Sequence, residues 1–379
     1  MNDSLFAAFP HTPSEHFKLY FYAAVLRVIS QVMLRYSEGE QPPDESAFTA
    51  HPFLANYLSE LADFGLEGVS LLQAQRDWQS ALQAWEQAAP SPLPITVLSH
   101  VAGLDYTTLT LLMAIGLLEE DARFGPLYAS AQGIPGQHRP TLALLSAWWG
   151  DEEGSGQVRR MVQRLQELGL LEVINPDAPR LEWAFQPCSL AWDALQGELS
   201  STPAAWCQYI APESLLTQED VLLPAGLQRA VVALPALFDS GEVQTVVVRG
   251  AQGDGRRTLL GALARQMNRG LMVITGMHAR VPEDGAASRW LLIGPLAVLF
   301  QALPVVVFDL APGESAELPG LAGGVPLAVI MGRSGGLTGS YKISKQLGTE
   351  ILLIILLATQ SKLMLTLNSQ SVSTAMNKF

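Results

Sequence analysis

The chain has 379 residues, 49% of them hydrophobic and 16% charged, which is enough apolar material for two or three packed domains and excludes a disordered polymer. A formal net charge of −13 argues against a sequence-independent grip on the phosphate backbone of nucleic acid. Two cysteines, Cys188 and Cys207, match neither a metal pattern nor a disulfide framework, and MNDSLFAAFPHTPSEHF at the N-terminus lacks the basic and apolar regions of a secretory signal, so a cytoplasmic protein is expected.

Residues 14–36, SEHFKLYFYAAVLRVISQVMLRY, read as a helix with Ser14 as N-cap and apolar residues around much of its surface. Lys18, Arg27 and Arg35 interrupt it, so a core helix is expected in preference to a membrane-bound one. Further helices are expected near Pro52 to Phe64 and Ser70 to Gln87, which makes residues 1–90 a helical N-terminal module. A second module, residues 92–197, begins after a Pro-rich stretch with helices at Pro94 to Val101 and Tyr106 to Leu118. Its helix Gln157 to Leu168 buries Val158, Met161, Val162, Leu165 and Leu168, and Gly169 stops it. A hairpin of Leu170 to Ile174 and Leu181 to Phe185 follows, the recognition-helix-and-wing end of a winged-helix (α+β) domain. Arg159, Arg160 and Arg164 lie on the exposed side of the helix and could meet phosphates. The module nevertheless carries 6 Arg or Lys against 12 Asp or Glu, which favours protein docking over DNA.

A linker from Leu199 to Glu213 leads to a helix from about Pro224 and then to VQTVVVRGAQGDGRRTLLGALA, residues 243–264. The β-branched run Val246 to Val248 reads as a strand buried on both faces, and Leu259, Leu260, Leu263 and Met267 as one face of a helix. Between them Gly250, Gly253 and Gly255 let backbone N–H groups converge at a helix N-terminus, the setting in which G-x-x-x-x-G-K-[ST] cradles phosphates. Arg256 stands where the Lys belongs and can reach the β- and γ-phosphates. Arg257 stands where the metal-binding hydroxyl belongs and cannot coordinate Mg²⁺, whereas Thr258, roughly 100° further round the helix, replaces it only if the turn shifts register. The run LPVVVFDL, Leu303 to Leu310, is expected to be the strand beside the first, ending in a metal-holding acid, Asp309. A strand at Leu271 to Thr275 and a helix near Arg289 to Gln301 fill the interval, and Asp309 could alternatively cap a turn.

From Pro224 to Arg333 the chain resembles the large subdomain of an AAA+ ATPase, with GAQGDGRRTLLGALA as Walker A, VVVFD as Walker B and VPLAVIMGRS as the strand of the first sensor. LLEEDARFGPLYASAQGIPGQHRPTLALLSAWW resembles the atypical winged-helix region that precedes AAA+ domains in bacterial clusters for phage-tail-like contractile injection systems, several of whose ATPases carry Arg at the Lys position. The resemblance implies an α/β P-loop NTPase domain with a parallel sheet over residues 214–336, ATP and Mg²⁺ as ligands, hexamer assembly, and remodelling of a protein assembly. It implies ligand contacts from Gly250, Gly253, Asp254, Gly255, Arg256, Arg257, Thr258 and Leu259, a metal held by Thr258 and Asp309, and catalytic parts for Asp309 and Arg333, with Ser334 a second sensor candidate. The helix from Pro224 would lie near the adenine, with Leu222 and Leu223 as base contacts. Relatives carry an acidic residue directly after the Walker B Asp, and here that position is Leu310, which puts hydrolysis in question.

Residues 337–379 depart from the family pattern, with 4 Lys and 1 Glu, and are expected to be an atypical tail of a chain truncated before its helical lid. The apolar run Ile351 to Leu367 is broken by Gln360, Ser361 and Lys362, short of the ~20 residues a bilayer span needs. Three functions are compatible with these residues: an ATPase that remodels a protein assembly, a nucleotide-binding regulatory module without turnover, and an adaptor in which the P-loop subdomain only supports the winged helix.

Overall fold

The structure, a computed structural model, describes residues 5–36, 48–66, 68–150, 155–221, 225–251, 253–277, 286–318, 320–321, 324–338 and 351–356. It divides into two compact units, Met1–Glu198 and Leu199–Phe379. Both modules expected within residues 1–197 fall in the first unit.

The first unit is built on one apolar helix, α1 (Pro13–Tyr36), whose buried residues Phe17, Leu19, Tyr20, Phe21, Val25, Leu26 and Ile29 occupy more than one face. Such a helix must be covered on several sides. It is covered by α2 (Phe53–Leu61), α3 (Leu71–Gln87), α4 (Pro94–Ala102), α5 (Tyr106–Glu120) and, after α6 (Phe124–Gln132), α7 (Leu142–Trp149) and α8 (Ser155–Glu167), by α9 (Ser189–Gln196). Among the described residues α1 is the one continuous helix long and apolar enough to cross a membrane, and most of it is buried inside this unit. Two polar side chains on it share a partner within the core: His16 Nε2 donates to Glu86 Oε1 at 2.7 Å, and the Tyr20 hydroxyl donates to the same oxygen at 3.0 Å. Burial and that carboxylate push the Tyr20 phenol well above its ordinary range, so it stays protonated.

The helix-and-hairpin end forms much as expected. α8 stops at Gly169, where the Leu170 N–H returns to the Leu165 carbonyl at 2.9 Å. Strands β1 (Leu171–Val173) and β2 (Phe185–Pro187) then pair antiparallel, Val173 opposite Phe185. The second strand lies further along than the expected Leu181 to Phe185. Asn175 bridges the turn, its Nδ2 donating to the Glu182 carbonyl at 2.9 Å and its Oδ1 accepting from Ala184 N at 2.7 Å, and residues 180–182 close into a 3₁₀ turn after Pro179.

The second unit is α/β, with a six-stranded sheet in the order β10-β4-β8-β6-β5-β3. β4 (Val243–Arg249), β5 (Gly270–Ile274), β6 (Ala302–Phe308), β8 (Leu327–Met331) and β10 (Ile351–Leu356) run parallel. β3 (Cys207–Ile210) pairs antiparallel with β5 and makes the sheet mixed where an all-parallel one was expected. The stretch read as a linker thus supplies an edge strand, because Cys207 turns into the core while Gln208 faces out. β10 comes from the tail that the composition set apart, its unbroken apolar run pairing with β4 from Ile351 opposite Val243 to Leu356 opposite Arg249.

Strands buried on both faces need covering layers. Val246, Val248, Leu271, Val273, Leu303, Val305, Ala328 and Ile330 meet α10 (Ala225–Asp239) and α11 (Arg256–Gln266) in one core. α12 (Ala286–Leu299) packs on β6 from the opposite face, Trp290 against Phe308 with ring centroids 6.3 Å apart. A short parallel pair, β7 (Ser315–Glu317) with β9 (Gly336–Thr338), ties the chain after β6 to the chain after β8.

Candidate functional site

The strand register decides which residues meet. Arg249 is level with Met331 across β4 and β8, and Met331 is level with Phe308 across β8 and β6. The chain therefore leaves three adjacent strands at one height, into Gly250, Gly332 and Asp309, at the carboxyl edge where open parallel sheets bind ligands. The acid-bearing strand is not beside β4 as expected. β8 stands between them, which puts the starts of the two loops about 10 Å apart at ordinary strand spacing.

The loop after β4 is built from its own backbone. Gly250 is buried and donates to the Met331 carbonyl at 3.3 Å. Gly253 and Gly255 hold φ of 89° and 75°, a left-handed backbone that turns the chain sharply into α11 and that a side chain would oppose. Asp254 closes the turn twice: its Oδ2 accepts from Ala251 N at 2.6 Å, and its own N–H reaches the Ala251 carbonyl at 3.3 Å. The first turn of α11 then presents the N–H groups of Arg256, Arg257 and Thr258, which find no acceptor among the described residues. Gln252, Leu222 and Leu223 lie outside the described residues.

Three arginines share this edge. Arg256 Nη1 donates to the Met331 carbonyl at 2.6 Å, Arg249 Nη1 to the Gly335 carbonyl at 2.9 Å, and Arg257 Nη2 to Gln208 Oε1 at 2.6 Å. All three acceptors are neutral, and among the described residues none of these guanidinium groups stands within ion-pair distance of a carboxylate. In a chain of net charge −13, uncompensated guanidinium groups near a helix N-terminus make a local field suited to an anion. Arg249 and Gln208 were not singled out in the sequence. A charged residue closing a run of three valines was the one signal for Arg249, and Gln208 needed the fold.

The remaining expected residues divide between site and scaffold. Asp309 is exposed at the end of β6, and Arg333 is exposed in the turn after β8. Leu259 is 2% exposed and points into the core, and its N–H is taken by the Gly255 carbonyl at 2.9 Å, so it supports the helix without facing a ligand. Leu310 is also buried and packs beneath the turn at Gly335, where even a Cβ would come 2.8 Å from its own. The nearby Glu314 is held in its own turn, accepting from Ala311 N at 2.8 Å.

The donors at this edge suit an anion, and the residue at the hydroxyl position does not suit a magnesium ion. The ion requires oxygen ligands in a near-octahedral set. The hydroxyl position holds Arg257, which has no lone pair to give, and Thr258 is exposed on the next position of the helix.

In the first unit, Arg159 and Arg160 are exposed on α8 as expected. Arg164 is not available to a phosphate: its Nε and Nη2 donate to the Ala102 carbonyl at 3.1 and 2.8 Å and cap the end of α4. Both cysteines are buried and free, and burial pushes the Cys207 thiol up to about 11, so neither geometry nor ionisation suits it to a redox or nucleophilic part.

No protein-family model matches the chain, and no curated protein shows significant similarity to it.

Proposed function

We propose that the second unit is an AAA+-type P-loop domain that binds ATP at the carboxyl edge of its sheet, in a cytoplasmic protein whose first unit docks a protein partner through its winged-helix-like end. One observation carries this reading: the uncompensated guanidinium groups of Arg249, Arg256 and Arg257 beside the free N–H groups that open α11. The topology supports it, since the segments that resemble Walker A, Walker B and the sensor strand lie on three neighbouring strands with their ends level.

In this reading the N–H groups of α11 and the Arg256 guanidinium hold the phosphates. Arg256 reaches them by leaving Met331, whose carbonyl keeps the Gly250 N–H. Binding without turnover is favoured by Leu310, an apolar residue held in the core where a group that activates water would stand. A regulatory or adaptor part, in which ATP sets the conformation that a protein partner meets, follows from that. The wider reading, ATP hydrolysis by a hexamer that remodels a protein assembly, draws its support from Asp309 and Arg333, which leave adjacent strands together as such a site would need.

Calorimetric titration of the full chain with ATP tests the proposal. The wild type is expected to bind, and Arg256→Ala to weaken binding by about ten-fold or more, the usual cost of losing a hydrogen-bonded charge on a phosphate. Absence of binding in the wild type would overturn it.

A further inference from the structure

We infer that this site takes the phosphate chain of its ligand without a metal ion, the guanidinium group of Arg257 supplying the positive charge that magnesium supplies in other P-loop proteins. The inference rests on the phosphate-binding reading and adds how the charge is neutralised.

A P-loop of the usual composition carries one lysine and lets its Ser or Thr hydroxyl hold a magnesium ion against the phosphates. Here both positions are arginine. A guanidinium cannot ligate a cation and repels one, so the residue that should recruit the metal excludes it. The same group offers five N–H donors in a planar fork that matches phosphate oxygens. Arg257 is free to do so: it is exposed, and its hydrogen bond is to the neutral amide oxygen of Gln208, on the edge strand β3. Arg256 is held in the same manner, by a carbonyl. Two adjacent guanidinium groups on the first turn of α11, each on a neutral acceptor, can exchange those acceptors for phosphate oxygens with no carboxylate to displace. Asp309, the other residue expected at a metal, lies beyond β8 on β6 and is exposed, so water solvates it without an ion.

The test is calorimetric titration of the full chain with ATP, once in excess EDTA and once in excess magnesium. Wild type is expected to bind in EDTA at least as tightly as with magnesium. Arg257→Ser, which places a hydroxyl at the metal position of an exposed site, is expected to lose about ten-fold in EDTA and to regain affinity when magnesium is added. Arg257→Lys, which keeps the charge and loses the fork, should fall between the two in EDTA. Wild-type binding that requires magnesium overturns the inference and leaves the phosphate site standing, as does an Arg257→Ser variant that binds like wild type in EDTA. Absence of binding in both conditions overturns the phosphate reading and this inference with it.

Discussion

Asp254 sits inside the loop proposed to receive an anion, and its carboxylate already occupies the Ala251 N–H. It does two opposed things: it closes the turn, and it puts a negative charge where the proposal places the phosphates. Asparagine keeps an oxygen at the acceptor position and removes the charge, so Asp254→Asn is expected to raise ATP affinity several-fold, read by the same titration. Lowered affinity would mean that the charge-assisted turn matters more than the repulsion. Arginine at 256 and 257 could be read from motif spacing, because the glycines count out the positions. That their guanidinium groups rest on Met331 and Gln208 could not, since those partners lie 75 and 49 positions away. Arg164 was misjudged for the same reason: helical spacing places it on an outer face, but only the fold brings the end of α4 under it.

At the scale of elements, α5 shows a residue choice that local propensity opposes. Gly116 stands in its middle, where glycine costs about 1 kcal/mol relative to alanine. The reason is α9: the Trp192 ring lies so close that a Cβ on Gly116 would overlap it, and Trp192 is also held by Phe17 at 5.1 Å and by Glu120 through its Nε1 at 2.7 Å. With the ring fixed on three sides, Gly116→Ala is expected to destabilise the first unit by about 1–3 kcal/mol despite the better helix former. Denaturant unfolding followed by tryptophan fluorescence reads this, because six of the eight tryptophans lie within residues 1–198. An unchanged midpoint would show that α9 can shift. Most helices and the core strands were legible, the helices from their apolar spacing and the strands from unbroken buried runs such as Val246 to Val248. β3 and β10 were not. One hid in a short mixed segment, and the other in a run whose composition departs from the rest.

For the whole molecule, the distribution of charge says more than its sum. A chain of net charge −13 places three arginines, without a carboxylate partner among the described residues, at one edge of one sheet, at the end of β4 and the start of α11. The order of those strands was not legible, because spacing along the chain leaves open whether the acid-bearing strand lies beside the loop-bearing strand or one place further. The docking part proposed for the first unit depends on its helix-and-hairpin end, within a stretch, residues 92–197, of 6 Arg or Lys against 12 Asp or Glu, and the nucleotide part on the second unit alone.

Hydrogen–deuterium exchange of the full chain with and without saturating ATP tests the nucleotide site most directly, because it reports where the ligand sits as well as whether it binds. The account predicts slowed exchange in peptides covering Gly250 to Leu260 and Met331 to Gly336, with the α8 and hairpin peptides of the first unit unchanged. Protection absent from both of those segments, or confined to the first unit, would contradict it.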